Sequence, residues 1–398
     1  MRLLCSAALL CRRMAVRLYI FPVTIHTEND GIFIFISAIL CCTLEGSRAC
    51  VRNYLNRYMV TCVPGMEFVV VDEIKEIYKI INNISIKRGK VIFDCLTVDA
   101  NCDRLRCIDN LYKLFRVFLV GRHKADLTDI GARVTDIDFE TDSKAKCSII
   151  VSASRSGKHT YSRYDVANQI GRALVDTGRY VLGDNANHEL AIRADIADGS
   201  CSIYKQLTSS QLRFRGEFFS APGGLRPPIA HCLVRLSKPK SDDVFYDPFC
   251  GAGTIAYERS YFKSKKIYAS DLNSDVLNIA KSNLKQSAII FSADATRSMM
   301  KDRSVSTVVT NLPWGKQIAV EDIYHLYFCF LKELKRILIT NGKAIILTDQ
   351  VFIITSLCDA LGTQCTQMTE LSLHGLHPMV FMLQNNWEEG LGWTPPQA

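Results

Sequence analysis

Residues 244–262 read VFYDPFCGAGTIAYERSYF. An apolar run meets a loop with two glycines one residue apart, and a helical pattern follows. Gly251 and Gly253 permit a tight turn and a close backbone approach to a ligand, and the helix start beyond them offers free N–H groups. The same unit recurs downstream. KIYASDLNSDVLNIAKSNL (266–284) is strand, acidic end, helix. AIIFSADATRSMM (288–300) and STVVTNLPWGK (306–316) are further strands ending in polar loops. IYHLYFCFLKELKRIL (323–338) reads as a helix, GKAIILTD (342–349) as a strand and FIITSLCDAL (352–361) as a helix. The tail TELSLHGLHPMVFMLQ (369–384) reads as an antiparallel pair. Strands alternating with helices predict an α/β domain over 218–398: a parallel, doubly wound sheet with its ligand crevice at the carboxyl ends of the strands.

Two smaller α/β modules precede it. In YMVTCVPGMEFVVVDEIKEIY (58–78) a strand meets the turn Pro64–Gly65, and a helix follows with acidic residues near its start, as the helix dipole favours. GKVIFDCL (89–96) is a strand, and NCDRLRCIDNLYKLFRVFLVGR (101–122) has the apolar spacing of a helix running into a strand. This module covers 57–122. The next, 123–212, begins with a strand, a basic loop and a helix in KCSIIVSASRSGKHTYSRYDVANQIGRALVDTGRYV (146–181). Two strands joined by the turn ADGS follow in HELAIRADIADGSCSIYKQL (188–207). Between Ser143 and Tyr180 seven basic residues face two acidic ones. A solvated face would carry such charges too. The interleaving of Arg155, Lys158, His159, Tyr161, Arg163 and Tyr164 favours a nucleic-acid surface, where cations meet phosphates and aromatics stack on bases.

Bulk properties agree with several globular domains in 398 residues, 48% hydrophobic and 22% charged. The formal charge is +8, of which +3 falls in the first 56 residues. That leader, MRLLCSAALLCRRMAVRLYIF and onward, has no acidic residue before Glu28. It is closer to a mitochondrial presequence than to a secretory signal, because Arg12 and Arg13 interrupt the apolar stretch, and it is otherwise an extension outside the fold. Sixteen cysteines lie scattered in apolar runs with no C-x-x-C pair, which predicts reduced, buried thiols in an intracellular protein and no zinc or other metal site.

Three carboxylates stand at successive strand ends. Asp247 precedes the glycine loop, where it can accept from an ammonium group or position the loop through water. NAD has no ammonium, whereas S-adenosylmethionine has one. Asp271 can accept from both ribose hydroxyls, and Asp294 from an adenine amino group. A helix cap is the commoner role for a lone Asp at such a place, but three in register are harder to explain so. The fourth strand ends in TNLPW. Asn311 offers a carbonyl oxygen, and Pro313 fixes the turn and leaves neighbouring backbone carbonyls without helical partners. Two acceptors on the N–H groups of an exocyclic base amine would free its lone pair for attack. Trp314 can stack on that base.

These residues resemble class I methyltransferases of the amino type, whose motif is [Asn/Asp/Ser]-x-Pro-[Tyr/Phe/Trp]. DPFCGAGT, SDLN, SADA and NLPWG stand at the expected places, and GLRPPIAHCLVRL with the basic module resembles the THUMP-domain guanosine N2-methyltransferases of tRNA. The resemblance covers 57–390 and departs at Leu312, where bacterial relatives often carry Pro. It implies a ferredoxin-like domain (57–122), a THUMP RNA-binding domain (123–212) and a Rossmann-like catalytic domain (218–398). It further implies an intracellular RNA methyltransferase in tRNA processing, with S-adenosylmethionine as donor, N2-methylguanosine as product, and a cytoplasmic or nuclear place, mitochondrial if the leader acts. Asp247, Phe249, Gly251, Gly253, Asp271 and Asp294 would hold the donor; Asn311, Pro313 and Trp314 would act on the base. Arg155, Lys158, Tyr161, Arg163 and Arg226 would meet RNA. Eukaryotic relatives work with a small zinc-ribbon activator subunit, which the resemblance carries over as a partner. The rival readings are the same chemistry on a small nuclear RNA or another base, a non-catalytic RNA-binding protein, and a nicotinamide-dependent oxidoreductase.

Overall fold

A computed structural model describes residues 55–385 apart from 79–80, 97, 99–103, 142–145, 210–211, 217, 316–320 and 374. The leader expected over 1–56 falls almost wholly outside the described residues. Eight strands form a first sheet: β1 (Asn56–Thr61), β2 (Ile81–Lys87), β3 (Lys90–Cys95), β4 (Asn110–Leu119), β5 (Cys147–Arg155), β6 (Tyr180–Leu182), β7 (Leu190–Ala197) and β8 (Ser200–Gln206). Their order is β2-β3-β1-β4-β8-β7-β5-β6. Antiparallel pairing of β4 with β8 makes one continuous sheet from the two N-terminal modules. Residues 110–119 were expected to be partly helical. They are strand throughout, because Tyr112, Phe115, Val117 and Phe118 suit a pleated surface and β1 and β8 supply partners on both sides.

Three helices accompany this sheet: α1 (Glu67–Ile77), α2 (Leu127–Ala132) and α3 (Arg163–Asp176). The helix α1 follows the Pro64–Gly65 turn. Its first residue does more than meet the dipole: the Glu67 carboxylate accepts from the Gly65 N–H at 2.8 Å and the Gly89 N–H at 2.6 Å, tying the turn to the β2–β3 hairpin. The N-terminus of α3 is fixed by a capping box between Ser162 and Asp165.

The second sheet contains β9 (Val244–Asp247), β10 (Lys266–Asp271), β11 (Ile289–Ser292), β12 (Val305–Asn311), β13 (Leu338–Thr348), β14 (Gln364–Glu370) and β15 (Met379–Gln384). The order is β11-β10-β9-β12-β13-β15-β14, parallel except for β15, which runs antiparallel to both neighbours. Helices α4 (Pro227–Leu236), α5 (Thr254–Arg259), α6 (Ser274–Leu284), α7 (Ile323–Ile337) and α8 (Val351–Ala360) belong to it. Chain order reverses between β9 and β12, so the crevice expected of a doubly wound sheet lies at the carboxyl ends of these two strands.

The two sheets share a core. Val63, Met66 and Val70 pack in one buried cluster with Ile229, Leu233 and Leu371. Each such side chain contributes about 1.5–3 kcal/mol by leaving water. Beside it lies a buried ionic network. Glu73 on α1 accepts from the backbone N–H of Arg106 and of Cys107, both at 3.0 Å, and faces His231 Nε2 at 3.4 Å. His231 Nδ1 lies 2.9 Å from Glu258, which also takes Arg106 and Arg215 at 2.9 and 2.8 Å. Burial works against ionising Glu258, yet His231, Arg215 and Arg106 together hold its carboxyl down to about 2.

Candidate active site and nucleic-acid surface

A cavity of about 730 Å³ opens at the switch point, within the range of small-molecule sites. Its first wall is the glycine loop. Gly251 (φ +51°) and Gly253 (φ +83°) both need the left-handed region, but for different ends. A Cβ on Gly251 would meet nothing within 4 Å, so the bare backbone faces open cavity. A Cβ on Gly253 would lie 2.8 Å from Leu284 of α6, so that glycine serves helix packing. The helix behind the loop, α5, has six residues, and its dipole is correspondingly short.

Asp271 pins the loop. Its Oδ2 accepts from the Gly251 N–H at 2.9 Å and its Oδ1 from the Asn273 N–H at 3.0 Å. Each oxygen keeps a further lone pair, and the residue lines the cavity. Asp294 lines it too, with Oδ1 held by the Thr296 N–H and hydroxyl at 2.8 and 2.7 Å. Phe249 stands on the cavity wall and packs edge-to-face on Phe330, centroids 5.2 Å apart. Of the two roles expected of Asp247, ligand contact and loop positioning, its place fits the second. It is fully buried behind the loop and off the cavity wall, with Oδ1 accepting from the Thr310 hydroxyl at 2.9 Å. Burial raises its carboxyl to about 7 despite that hydrogen bond, and its Oδ2 is buried without a partner. Asp247 therefore positions the loop and the end of β12. Burial, with Asp247 and Asp271 nearby, pushes the Cys250 thiol up and keeps it protonated, as suits packing rather than nucleophilic attack.

The opposite wall is the loop after β12. The Asn311 Oδ1 is buried with no hydrogen-bond partner among the described residues, at a residue lining the cavity. An unpaired buried acceptor costs about 1–3 kcal/mol, and beside a cavity it marks a place for a donor from a ligand. Pro313 was expected to leave neighbouring carbonyls free. Its own carbonyl is occupied: the Tyr327 hydroxyl donates to it at 2.9 Å and contacts Thr348 Oγ1 at 2.7 Å. Leu312 also lines the cavity, and its carbonyl accepts no hydrogen bond among the described residues, which leaves it free to serve as a second acceptor beside Asn311. The half-buried Trp314 lines the cavity, its Nε1 without a partner and its backbone carbonyl accepting from Gln350 Nε2 at 3.0 Å. Tyr327 and Gln350, which brace this loop, carry no sequence signal, since both lie on elements remote from it in the chain.

The basic surface is built from two loops. Gly121–Asp126 and Arg155–Arg163 are joined by the Thr160 N–H to the Arg122 carbonyl at 2.9 Å and the Lys124 N–H to the Thr160 hydroxyl at 2.8 Å. Arg155, Lys158 and Arg163 are exposed there, together with Arg122 and Lys124, which the sequence reading passed over although GRHK is a visible basic run. The stacking role expected of Tyr161 is overturned. It is 2% exposed in the core, its hydroxyl donating to the Gly121 carbonyl at 2.8 Å, and it locks the loops together. The exposed aromatic is Tyr164, 65% exposed, with the Arg163 guanidinium 4.8 Å from its ring centroid. Arg226 lies on the cavity wall and not on this surface, paired with Asp109 at 3.0 Å.

Glu73, Cys107 and His231 place three potential metal-ligand atoms within 4.8 Å. Both imidazole nitrogens face carboxylates and both Glu73 oxygens hold backbone N–H groups, so the cluster acts as the ionic network already described.

A seven-stranded sheet with one reversed strand, a glycine loop pinned by a strand-end carboxylate and an amide acceptor across the cavity define a class I methyltransferase domain. Comparison with known proteins agrees. The family model described as "UPF0020: RMKL-like, methyltransferase domain" matches residues 215–378. A tRNA (guanine(6)-N2)-methyltransferase of Archaeoglobus fulgidus is 24% identical over 83% of this chain and 93% of its own length. TrmN from Thermus thermophilus superposes with a TM-score of 0.71 at 23% identity, over 83% of this chain and 99% of that one. SMU.472, solved with SAH, gives 0.64 at 16% identity over 85% of this chain and all of that one. The matched methyltransferase domain and the tRNA (guanine-N2)-methyltransferase relatives together support kinship with the THUMP-type tRNA guanine-N2 methyltransferases.

Proposed function

We propose that this protein transfers a methyl group from S-adenosylmethionine to the exocyclic N2 of a guanosine in tRNA. The observation that carries it is the buried Asn311 Oδ1, unpaired among the described residues at a residue lining the cavity with the glycine loop, with the Leu312 carbonyl next to it in the chain. The residues present fit the donor. Gly251 leaves open space for a close backbone contact, and Asp271 and Asp294 offer free lone pairs for ribose and adenine. When bound, the donor supplies an electrophilic methyl on a sulfonium sulfur. Asn311 and Leu312 accept from the two N–H groups of the amine, raise its nucleophilicity and hold it in line. Trp314 stacks on the base. Those acceptors would stabilise the positive charge that methyl transfer places on the nitrogen, and the amine proton would then pass to solvent.

The ferredoxin-like and THUMP assignments for 57–122 and 123–212 are part of this proposal, supported by the strand–helix–strand order of each module and by the basic loop pair. That pair would grip phosphates of the folded RNA, with Tyr164 against a base. A zinc-ribbon activator subunit and a cytoplasmic or nuclear place are carried over from the family resemblance. Among the described residues no helix is long and apolar enough to cross a membrane. The test is methylation of total RNA with labelled donor, followed by size fractionation and nucleoside analysis, with and without the activator. Label in N2-methylguanosine of the tRNA fraction is expected. Label in another nucleoside, or in a small nuclear RNA, would move the assignment there.

A further inference from the structure

The cavity wall is not made by the methyltransferase sheet alone. Its lining also includes Leu373 and Leu376, at the tip between β14 and β15, where each backbone N–H bonds the other's carbonyl at 2.9 and 2.8 Å. This tip is held from the N-terminal sheet. The Ser372 N–H donates to the Pro64 carbonyl at 3.1 Å, and the Thr369 hydroxyl donates to the Gly65 carbonyl at 2.8 Å. Gly65 has φ +102°, and a Cβ there would lie 2.1 Å from the Glu370 carbonyl oxygen. Only glycine lets the turn come this close. The turn is itself anchored by Glu67, and Leu371, wholly buried beside it, joins the shared core. Arg226, on the same wall, is held from the same sheet by Asp109.

We infer that the Pro64–Gly65 turn is a clasp that positions the base-side wall of the cavity, so that the N-terminal sheet sets where the target guanine lies. The inference rests on the guanosine-methylating reading above and adds positioning residues to it, Gly65 and Thr369. Neither lines the cavity, and among the described residues neither hydrogen-bonds the glycine loop or Asp271, which hold each other. The phosphate-gripping loops are likewise separate. Loosening the clasp therefore misplaces the base without weakening either donor or RNA binding.

The test uses the full chain and three variants: Thr369→Val, which removes the hydroxyl at nearly constant volume; Thr369→Ser, which restores it; and Gly65→Ala. For Thr369→Val we expect kcat on tRNA to fall about tenfold, the scale of a small misplacement of reacting groups, with KM for RNA and donor affinity within about twofold of wild type. Thr369→Ser should recover the rate, and Gly65→Ala should lose more. Hydrogen exchange read alongside should show the Ser372 amide opening faster in Thr369→Val, while the amides of 250–253 stay unchanged. Wild-type kcat in Thr369→Val, or a parallel loss of donor affinity, overturns the positioning role. Unchanged exchange at Ser372 overturns the clasp itself. If the wild-type protein methylates no guanosine, the functional reading fails, and the exchange measurement still decides the clasp.

Discussion

In the proposed mechanism the chemistry turns on Asn311. It ends β12 with an acceptor that no donor reaches among the described residues. Asn311→Ala should leave donor binding nearly intact and cut turnover by about 10²-fold or more, the scale of one lost transition-state hydrogen bond. Asn311→Asp should retain more activity, since a carboxylate also accepts from the amine. Single-turnover kinetics at saturating donor check both, and a wild-type rate for the alanine variant would remove Asn311 from the mechanism. Asp247 gives a pH prediction. Its carboxyl is raised to about 7, above the 3.8 of a free side chain, so between these values the folded state holds the extra proton. Stability then falls as pH rises through that window. Asp247→Asn removes this titration, and thermal unfolding of the donor-free protein should show it gaining on wild type from about pH 4 to about pH 8. The sequence showed both residues as strand-end polar groups. It could not show that one faces the cavity and the other lies behind the loop, because one residue of offset at a strand end reverses the direction of a side chain.

Among elements, those whose local pattern agrees with their surroundings were legible. The β9–α5 unit, β10 to β13 and α7 were readable from apolar runs, glycines and 3.6-residue spacing, whereas the tail pair read over 369–384 has its first strand at Gln364–Glu370. β4 was misread because Leu111, Leu114, Phe115 and Phe118 also fit a helical stripe, and only the partners on both sides decide. β2 interrupts its isoleucines with Asn82, Asn83 and Ser85 and has no apolar run, so its hairpin with β3 went unseen. In the basic loop, alternation placed Tyr161 and Tyr164 equally well. The capping box at Ser162 turns the chain into α3 between them, leaving Tyr161 inward and Tyr164 outward. Reversing Arg155, Lys158 and Arg163, or Arg122 and Lys124, should weaken tRNA binding and reduce the salt slope by about one unit per lost phosphate contact. Tyr164→Ala should weaken it by about 1–3 kcal/mol of stacking. Tyr161→Phe should leave RNA affinity alone and lower stability by about 1 kcal/mol. Filter binding across a salt series separates these outcomes, and a loss of RNA affinity confined to Tyr161→Phe would restore that residue to the interface.

At the scale of the whole molecule, the N-terminal sheet and the methyltransferase sheet meet through a buried ionic network whose hub is Glu258. The sequence gives no sign of it, since Glu73, Arg106, Arg215, His231 and Glu258 are scattered over nearly two hundred positions and each alone looks like a surface charge. The hub is fully buried, so removing its charge leaves two half-buried arginines without their shared carboxylate. Glu258→Gln should destabilise the protein by about 3–5 kcal/mol at neutral pH, the usual cost of breaking a buried pair by taking one partner away. The sign of the pH dependence follows from the depressed carboxyl. Its folded value near 2 lies below the 4.5 of a free Glu, so its stabilisation is complete above about 4.5 and is lost as pH falls toward about 2. The gap between wild type and Glu258→Gln should therefore be constant from about pH 8 to about pH 5 and close below that, as urea unfolding at each pH would record. Glu258 lies off the cavity wall, so donor affinity in the folded variant should match wild type. Methylation of tRNA should fall, because the clasp on the base-side wall depends on the docking that this network secures. A variant that loses stability but keeps its full tRNA rate would mean that the two sheets hold the wall through the clasp alone.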